Sequence, residues 1–249
     1  MLEKILRYNK YNGPIINIVA TISLVAAVLG LVDVNWYVAF FMYFMYWCVG
    51  ISITYHRYVS HFSFKFRYPW MEKFCLLLAG CAGQGDGFTW AAVHRHHHKH
   101  ADTHEDPHGP HHGILKYFMV QGYDDVPVRV NKRLRNKITF FMFKYYTLYL
   151  ALWWVALAMI GEWALMSFGL VPVALYQIAA NITVQVTHKW GYRNFESADH
   201  ATNNWWISIL SFGEGWHNNH HAKPRKYSFQ EKWWEFDLGG FIIKHLLAK

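Results

Sequence analysis

The chain has 249 residues, of which 53% are hydrophobic and only 16% are charged, and this composition excludes intrinsic disorder, coiled coil and collagen. The net charge of +8, with histidine counted as neutral, suits either a nucleic acid or an anionic membrane surface. Histidine is unusually frequent, because its 17 residues outnumber the 16 aspartates and glutamates together. The three cysteines, Cys48, Cys75 and Cys81, stand in apolar surroundings without a CxxC spacing. We therefore expect reduced, buried thiols rather than disulfides or a zinc knuckle.

The charged residues lie in blocks that leave two long apolar stretches. Between residues 10 and 57 the only charged residue is Asp33, and between residues 144 and 189 it is Glu162. Each stretch is about twice the ~20 residues that a helix needs to cross a bilayer. The sequence therefore predicts an all-α integral membrane protein whose four transmembrane helices form two hairpins, with one acid near each turn. The predicted spans are residues 14–32, 35–54, 140–160 and 163–186.

Basic residues flank both hairpins and predict the orientation of the chain. They are Lys4, Arg7, Lys10, Arg57, Lys65, Arg67, Lys132, Arg133, Arg135, Lys137, Lys189 and Arg193. Cytoplasmic segments of membrane proteins carry an excess of lysine and arginine. We therefore expect both termini on the cytoplasmic side, together with a helical cap made of residues 55–138 and 187–249. The positive charge is then explained by topology and lipid rather than by nucleic acid, and the alternative is a soluble protein with long buried helices.

Two further segments are expected at the membrane surface. Residues 74–87 are apolar but too short to span, and they contain several glycines, which predicts a helix lying against the membrane face or the bundle. Residues 223–249 mix aromatic residues with lysine and glutamate, which is typical of an amphipathic interface helix. No internal repeat or linker divides the chain, so we expect residues 1–249 to form a single domain.

None of the 17 histidines falls within a predicted span, so the predicted topology places all of them on one side. Two clusters, His94–His98 and His217–His221, contain the spacing HxxHH. Residues i, i+3 and i+4 share a helix face, which predicts three imidazoles converging on one small volume in each cluster. His56 and His61 form a weaker pair, about 140° apart on an α-helix, which flanks a metal only if the helix loosens at its end. Apposed imidazoles gain nothing from burial without a partner, so the clusters indicate metal binding.

These clusters, with His188 beside the last span, supply too many ligands for one tetrahedral ion and predict two metal ions. The candidate ligands are His56, His61, His94, His97, His98, His188, His217, His220 and His221. Imidazole alone admits zinc, copper, nickel or iron, so spacing leaves the element open. Acids suited to hold the other ring nitrogen are Asp86, Asp102, Glu105, Asp106, Glu196, Asp199 and Glu214. The histidines expected to face the cap or solvent are His96, His100, His104, His108, His111 and His112.

The chain resembles the membrane-bound fatty acid desaturase family in three segments that occur in the same order. They are HRYVSH from His56, QGDGFTWAAVHRHHHKHADTHEDPHGP from Gln84, and NNWWISILSFGEGWHNNHH from Asn203. The glycine-flanked HRxHH with its downstream Asp-Pro-His is similar to the Δ9 type of bacteria, cyanobacteria and plants. The resemblance covers about residues 35–225 and implies two iron ions held by the nine histidines, with O2 as co-substrate. It further implies that the enzyme introduces a cis double bond into a saturated acyl chain held in a bent tunnel.

Two positions depart from the family pattern. The family has asparagine four residues before the lone histidine, where this chain has Val184, and Asn181 and Gln185 are nearby amides on the same helix. Animal acyl-CoA enzymes have an Arg-Asp pair before HRxHH, where this chain has Ala92 and Val93. Acyl-CoA, acyl carrier protein and glycerolipid therefore all remain open as acyl carriers.

The resemblance also implies partners and neighbours of the site. A separate electron donor, ferredoxin or cytochrome b5, is expected to dock on the basic cytoplasmic cap, with membrane lipid around the spans. Four tryptophans resemble family positions beside the site or tunnel, and membrane-interface tryptophan is the alternative interpretation. They are Trp90, Trp205, Trp206 and Trp216.

Two other functions fit part of the pattern. A lipid or alkane hydroxylase would use the same scaffold, although the HxxHH spacing of the second box favours a desaturase. A membrane metal transporter would place ionisable ligands within the spans, and the predicted spans contain none of the histidines.

Overall fold

The computed structural model describes residues 12–107, 109, 112–113 and 137–249, and these residues fold into helices joined by loops. In chain order the helices are α1 (Asn12–Val28), α2 (Trp36–Ser60), α3 (Pro69–Cys81), α4 (Gly87–His100), α5 (Lys137–Ile160), α6 (Glu162–Thr187), α7 (Trp205–Leu210), α8 (His217–Ala222) and α9 (Leu238–Leu247). The all-α prediction is confirmed for the described part of the chain. Several residues used above lie outside it, namely Lys4, Arg7, Lys10, His108, His111, Lys132, Arg133 and Arg135.

Three of the described helices, α2, α5 and α6, are long and apolar enough to cross a membrane. The fourth predicted span corresponds to α1, whose 17 residues stop short of that length, although α1 packs against α6 in the same bundle. The outer surface of α5 fits a lipid environment, because it exposes a row of apolar side chains. They are Leu148, Leu152, Val155 and Met159.

The turns of the two predicted hairpins lie at the same end of the bundle. The backbone N–H of Asp33 donates to the Glu162 carboxylate at 3.2 Å. The N–H of Asn35 donates to the Ser167 hydroxyl at 2.8 Å. Since α2 and α6 both run away from these turns, their far ends bring the histidines after each helix to the opposite end of the bundle.

The second half of α2 departs from α-helical geometry. Residues Met45–Ser60 follow the wider π-helical pairing, in which each N–H reaches the carbonyl five residues back. The helix also continues to Ser60, whereas the sequence predicted its end at residue 54, so His56 lies in the last turns of a candidate span. The wider turn brings the His56 and His61 rings to 5.2 Å between centroids, although an α-helix would direct them apart. The loosening that this pair needs is therefore present in the fold.

The two surface segments differ in how far they match expectation. Helix α3 packs on α2 and α5 through buried Leu76 and Ala79 and exposes Trp70 and Phe74, as predicted for an apolar helix against the bundle. Its cysteines and Cys48 are free and buried.

The C-terminal tail is helical only over Leu238–Leu247, so the prediction of a helix from residue 223 is wrong in its first half. Pro224 lacks an N–H, which disfavours a helix interior. The buried Glu235 carboxylate accepts the backbone N–H groups of Glu231 and Lys232, both at 2.9 Å. These bonds hold the segment before α9 in a folded loop.

Candidate metal centre

Helix α4 begins where the Asp86 side chain accepts the backbone N–H groups of Phe88 and Thr89, at 2.8 and 3.1 Å. An aspartate at this position satisfies donors that have no partner within the helix. Asp86 is therefore a helix cap and not the partner of a histidine. The cap fixes the start of α4, and hence the direction in which His94, about two turns further along the helix, enters the protein.

The nine predicted ligands come together in two groups at one end of the bundle. One group contains His56, His61, His94, His98 and His220, and the other contains His97, His188, His217 and His221. Within each group the candidate ligand atoms lie within 4.8 Å of one another. Eight of the nine were predicted from the spacing of their clusters and His188 from its place beside the last span, and the fold brings all nine together.

Each HxxHH box contributes to both groups rather than to one. In α4, His94 and His98 enter the five-histidine group while His97 enters the other. In α8, His217 and His221 enter the four-histidine group while His220 enters the first. The expectation that three imidazoles of a box converge on one volume is therefore wrong, because positions i and i+4 lie closer in direction than i+3. The two short helices thus face each other with both groups between them.

Four carboxylates hold the outward ring nitrogens of the histidines. The Nδ1-to-oxygen distances are 2.6 Å for His56 and Glu214, 2.9 Å for His97 and Asp106, 3.0 Å for His188 and Asp102, and 2.9 Å for His221 and Asp199. A carboxylate that accepts Nδ1–H fixes the ring orientation and leaves the Nε2 lone pair for a metal. Glu105 contacts His100 instead, and Glu196 is exposed, so neither joins these four.

The inward nitrogens face one another at distances that favour a cation between them. His56 Nε2 lies 2.8 Å from His220 Nε2, and His188 Nε2 lies 3.0 Å from His217 Nε2. Because His56 and His188 donate through Nδ1, their Nε2 atoms present lone pairs. The buried Nε2 of His221 has no hydrogen-bond partner in the described part of the chain, and buried polar atoms without partners are costly. The donor set therefore fits two metal ions with nitrogen ligands.

Burial lowers the pKa of six of the nine histidines, and ion pairing keeps the Glu214 carboxylate charged. Burial, reinforced by neighbouring histidines, lowers the pKa of His61 to about 2. The same causes lower the pKa of His94, His98, His217, His220 and His221. Burial alone would raise the pKa of Glu214, but His56 and Arg57 bring it down to about 2. Metal ligands must be neutral imidazoles, and the site provides them at neutral pH.

The lowered histidine pKa values predict that the metal-free protein becomes less stable in mild acid. The unfolded chain takes up protons on histidine below about pH 6.5, whereas the folded chain resists them. The contribution of these histidines to the unfolding free energy is therefore complete above about pH 6.5, and it declines as the pH falls below that value. We expect a lower thermal midpoint at about pH 5.5 than at about pH 7.5 for chelator-treated protein in detergent. Equal midpoints would contradict the burial of neutral imidazoles.

Asp106 is expected to matter for metal affinity although it contacts no metal. Both of its oxygens lie 2.9 Å from His97 Nδ1, and the side chain is buried. Removing such a partner costs about 10–100-fold in metal affinity or activity, so we expect Asp106→Asn to show a loss of that size in metal titrations. The matched control is Glu196→Gln, at an exposed acid of the same cap. Equal metal affinity in the two variants would exclude the role given to Asp106.

A largely apolar cavity lies beside both histidine groups. Its lining includes Trp47, Ile51, Gln84, Trp90, Val93, Tyr176, Ala180, Thr183 and Val184, together with His56, His94, His97, His217 and Glu214. An apolar pocket with a few convergent polar groups is the usual form of a small-molecule site. The cavity is thus placed to bring an apolar ligand against the histidine end of the bundle.

Val184 contributes a hydrocarbon wall to this cavity. Neither Asn181 nor Gln185 is among the residues that line it, and the Gln185 side-chain oxygen accepts from Lys189 at 3.3 Å. Neither amide of this helix therefore reaches the cavity wall that Val184 forms.

The four tryptophans divide between the two interpretations. Trp90 lines the cavity, and its ring stacks on His94 at 4.9 Å and 23°. Trp216 is buried, and its Nε1–H donates to the Phe236 carbonyl at 3.0 Å. Trp205 and Trp206 are 63% and 41% exposed, which suits an interface position. Only Trp90 among them thus touches both a histidine and the cavity.

Sequence reasoning missed a buried ion network behind His56. The Arg57 guanidinium is fully buried, and it donates to the Glu214 carboxylate at 2.9 Å and to both Asp237 oxygens at 3.0 and 3.1 Å. It also lies 3.8 Å from the centre of the Phe229 ring. The one signal in the sequence is that Arg57 ends an apolar run. If the fold buries such a cation it must be paired with an acid, because arginine is rarely buried without a partner. From the sequence, Arg57 was expected only to flank a membrane span and so to set the topology.

The geometry defines a class of protein, namely a helical membrane-type protein that gathers two histidine groups at one end of its bundle. The sequence profile of the fatty acid desaturase family matches residues 34–235. The chain is 32% identical over 217 residues to the sn-1 stearoyl-lipid 9-desaturase of Anabaena variabilis, covering 84% of this chain and 79% of that protein. It is 35% identical to the sn-1 stearoyl-lipid 9-desaturase of Synechocystis sp., covering 84% and 67%. It is 31% identical to the Delta-9 acyl-lipid desaturase 1 of Arabidopsis thaliana, covering 80% and 68%.

The chain belongs to the fatty acid desaturase family, and it is therefore an oxidoreductase of lipid metabolism. The family resemblance inferred from the three histidine segments is confirmed, including its likeness to the Δ9 type.

Proposed function

We propose that this protein is an O2-dependent acyl desaturase that introduces a cis double bond, at position 9, into a saturated chain. The observation that carries the proposal is the apolar cavity whose wall includes histidines of both groups, His94 of one and His97 of the other. Two iron ions, when bound by the nine histidines, would supply the oxidising power with O2, because side chains alone cannot remove hydrogen from an unactivated methylene.

The protein itself positions the acyl chain, excludes water from the site and supplies the charged groups that orient the histidines. The apolar walls formed by Trp47, Ile51 and Tyr176 hold an acyl chain against the histidine groups and exclude water. The stacked Trp90 fixes His94 from the side that faces the cavity. Glu214, held ionised beside Arg57, orients His56. Residues that fix which carbon lies at the centre decide the position of the new double bond.

The surroundings of the site extend the proposal. Three helices of spanning length and the likeness to acyl-lipid enzymes favour a multi-pass membrane protein that takes its substrate from the bilayer. With both termini and the metal centre on the cytoplasmic side, a separate ferredoxin or cytochrome b5 would deliver electrons to the cap. Ala92 and Val93 stand directly before the second box in place of the Arg-Asp pair of animal acyl-CoA enzymes, so a glycerolipid, acyl carrier protein or acyl-CoA head is compatible with the sequence. The named relatives act on lipid-linked chains, which favours the glycerolipid.

The fatty acid profile of a heterologous host tests the proposal. Expression should add a monounsaturated fatty acid, and gas chromatography with double-bond location should place the unsaturation at carbon 9. Separating lipid classes before analysis identifies the carrier. A hydroxylated product without a new alkene would instead support the hydroxylase, and zinc alone with no O2-dependent turnover after iron loading would support the transporter.

A further inference from the structure

A separate cluster of metal-ligating side chains lies on the outer face of α4. It consists of His96, His100 and Glu105, whose candidate ligand atoms lie within 4.8 Å of one another. His96 and His100 are four residues apart and therefore share a helix face, and their rings stack with centroids 4.5 Å apart. The same helix directs His94 into the inner centre, so α4 presents metal ligands on two sides.

Glu105 completes this cluster from the loop after α4. Its Oε2 lies 2.9 Å from His100 Nδ1, and its backbone carbonyl accepts from His96 Nε2 at 3.1 Å. Because His96 donates through Nε2, its Nδ1 keeps a lone pair. An ion that replaces the proton between His100 Nδ1 and Glu105 Oε2 would meet two imidazole nitrogens and a carboxylate oxygen. This role goes beyond the solvent-facing position expected from the sequence.

We propose that His96, His100 and Glu105 form a third, exchangeable binding site for a divalent transition metal such as zinc. Imidazole donors favour zinc, copper, nickel and iron over calcium and magnesium. Two histidines and a glutamate are a donor set that zinc binds with water in the remaining position. Two histidines at i and i+4 on one helix also form the zinc-binding pair of metalloproteases. The His100 and Glu105 side chains are 20% and 69% exposed, which gives the ion a path in and out.

An ion bound here would fasten the loop behind the inner centre. The loop of residues 101–106 carries Asp102 and Asp106, whose carboxylates hold His188 and His97. Linking Glu105 to the end of α4 restrains that loop, so occupancy of the outer site stiffens the support of the four-histidine group. The inference does not depend on which reaction the inner centre performs.

The test uses full-length protein carrying a tag without histidine, with the inner centre loaded. The protein is dialysed to equilibrium against buffered micromolar zinc, and bound zinc and iron are counted by mass spectrometry. Wild type should bind one zinc per chain beyond the inner metals. Since losing even a supporting partner costs about 10–100-fold in metal affinity, His100→Ala and Glu105→Gln should each weaken the extra zinc by at least about tenfold without changing the iron content. The control His245→Ala, at an exposed histidine of α9, should bind zinc as wild type does.

Three results would overturn the proposal. The first is the lack of extra zinc in wild type, and the second is its retention in both His100→Ala and Glu105→Gln. The third is uptake of zinc that matches iron lost one for one, since the ion would then occupy the inner groups. Slower amide exchange over residues 101–106 in the zinc-bound wild type supports the fastened loop, and unchanged exchange in spite of bound zinc excludes it.

Discussion

His97→Ala and His220→Ala are each expected to abolish desaturation while emptying different metal positions. His97 is one of four histidines in its group and His220 is one of five in the other, and both side chains are buried. Each substitution removes a nitrogen ligand and leaves a cavity in place of a buried imidazole. We expect a lower iron content in each variant, because each group loses one of its four or five nitrogen donors and the loss of even a supporting partner costs about 10–100-fold in metal affinity. Membrane insertion should persist, since neither residue belongs to the apolar face of a span.

The measurement combines product analysis with metal counting on purified protein. His97→Ala and His220→Ala should show no new alkene and a lower iron content, with spectra that differ because different groups are vacated. His104→Ala is the matched control, an exposed histidine of the neighbouring loop, and it should keep both iron and product. An active His220→Ala enzyme would refute the ligand assignment. Identical spectra for the two iron-depleted variants would refute the division of the boxes between two groups.

Arg57→Ala is expected to give the largest loss of stability of any substitution outside the ligands. The guanidinium has no exposed surface, and it neutralises Glu214 and Asp237, which are themselves buried or nearly so. Removing one partner of a buried ion network leaves uncompensated charge and costs about 3–5 kcal/mol. That is a large part of the about 5–15 kcal/mol that stabilises a typical domain. Because Glu214 also holds His56, the variant should lose metal from the five-histidine group as well.

The thermal unfolding midpoint of the detergent-solubilised protein measures this effect, with Arg225→Ala as the control at an exposed arginine of the tail. If Arg57→Ala yields too little folded protein, Asp237→Asn keeps the test open, because it preserves volume and leaves Glu214 in place. Asp237→Asn should lower the midpoint with a smaller loss of metal, whereas Glu214→Gln should mainly weaken metal binding, by about 10–100-fold. A wild-type midpoint in both Arg57→Ala and Asp237→Asn would show that the network contributes nothing to folding.

Much of the centre follows from the sequence because its determinants are local. Helix periodicity places His94 and His98 on one face, and charge-free stretches define the long helices, so both were predicted from neighbouring residues. The division of each box was not predicted, because the assignment of His97 depends on where α8 lies relative to α4. The π-helical geometry before His61 was likewise not predictable from the sequence, since no residue in this segment requires i→i+5 hydrogen bonding.

Contacts between distant segments account for the rest. Arg57 and Asp237 are 180 positions apart, and no local pattern in either segment predicts that the two side chains meet. The loop before α9 was predicted as a helix because the segment mixes aromatic with charged residues, as amphipathic helices do. The buried acceptor Glu235, which holds the loop, is identified only by its contacts. Of the acids proposed to support the histidines, four do so, and the sequence could not separate them from Glu105 or Asp86.

The sharing of each box between the groups has a mechanical consequence. Two ions, when bound, would each take ligands from α4 and from α8, so residues one or three positions apart on one short helix would serve different ions. A rigid-body shift of α4 would therefore move its ligands to both sites by the same amount. The spacing between these ligands is an intrahelical length, which bundle motions during the entry and exit of a long, flexible chain leave unchanged.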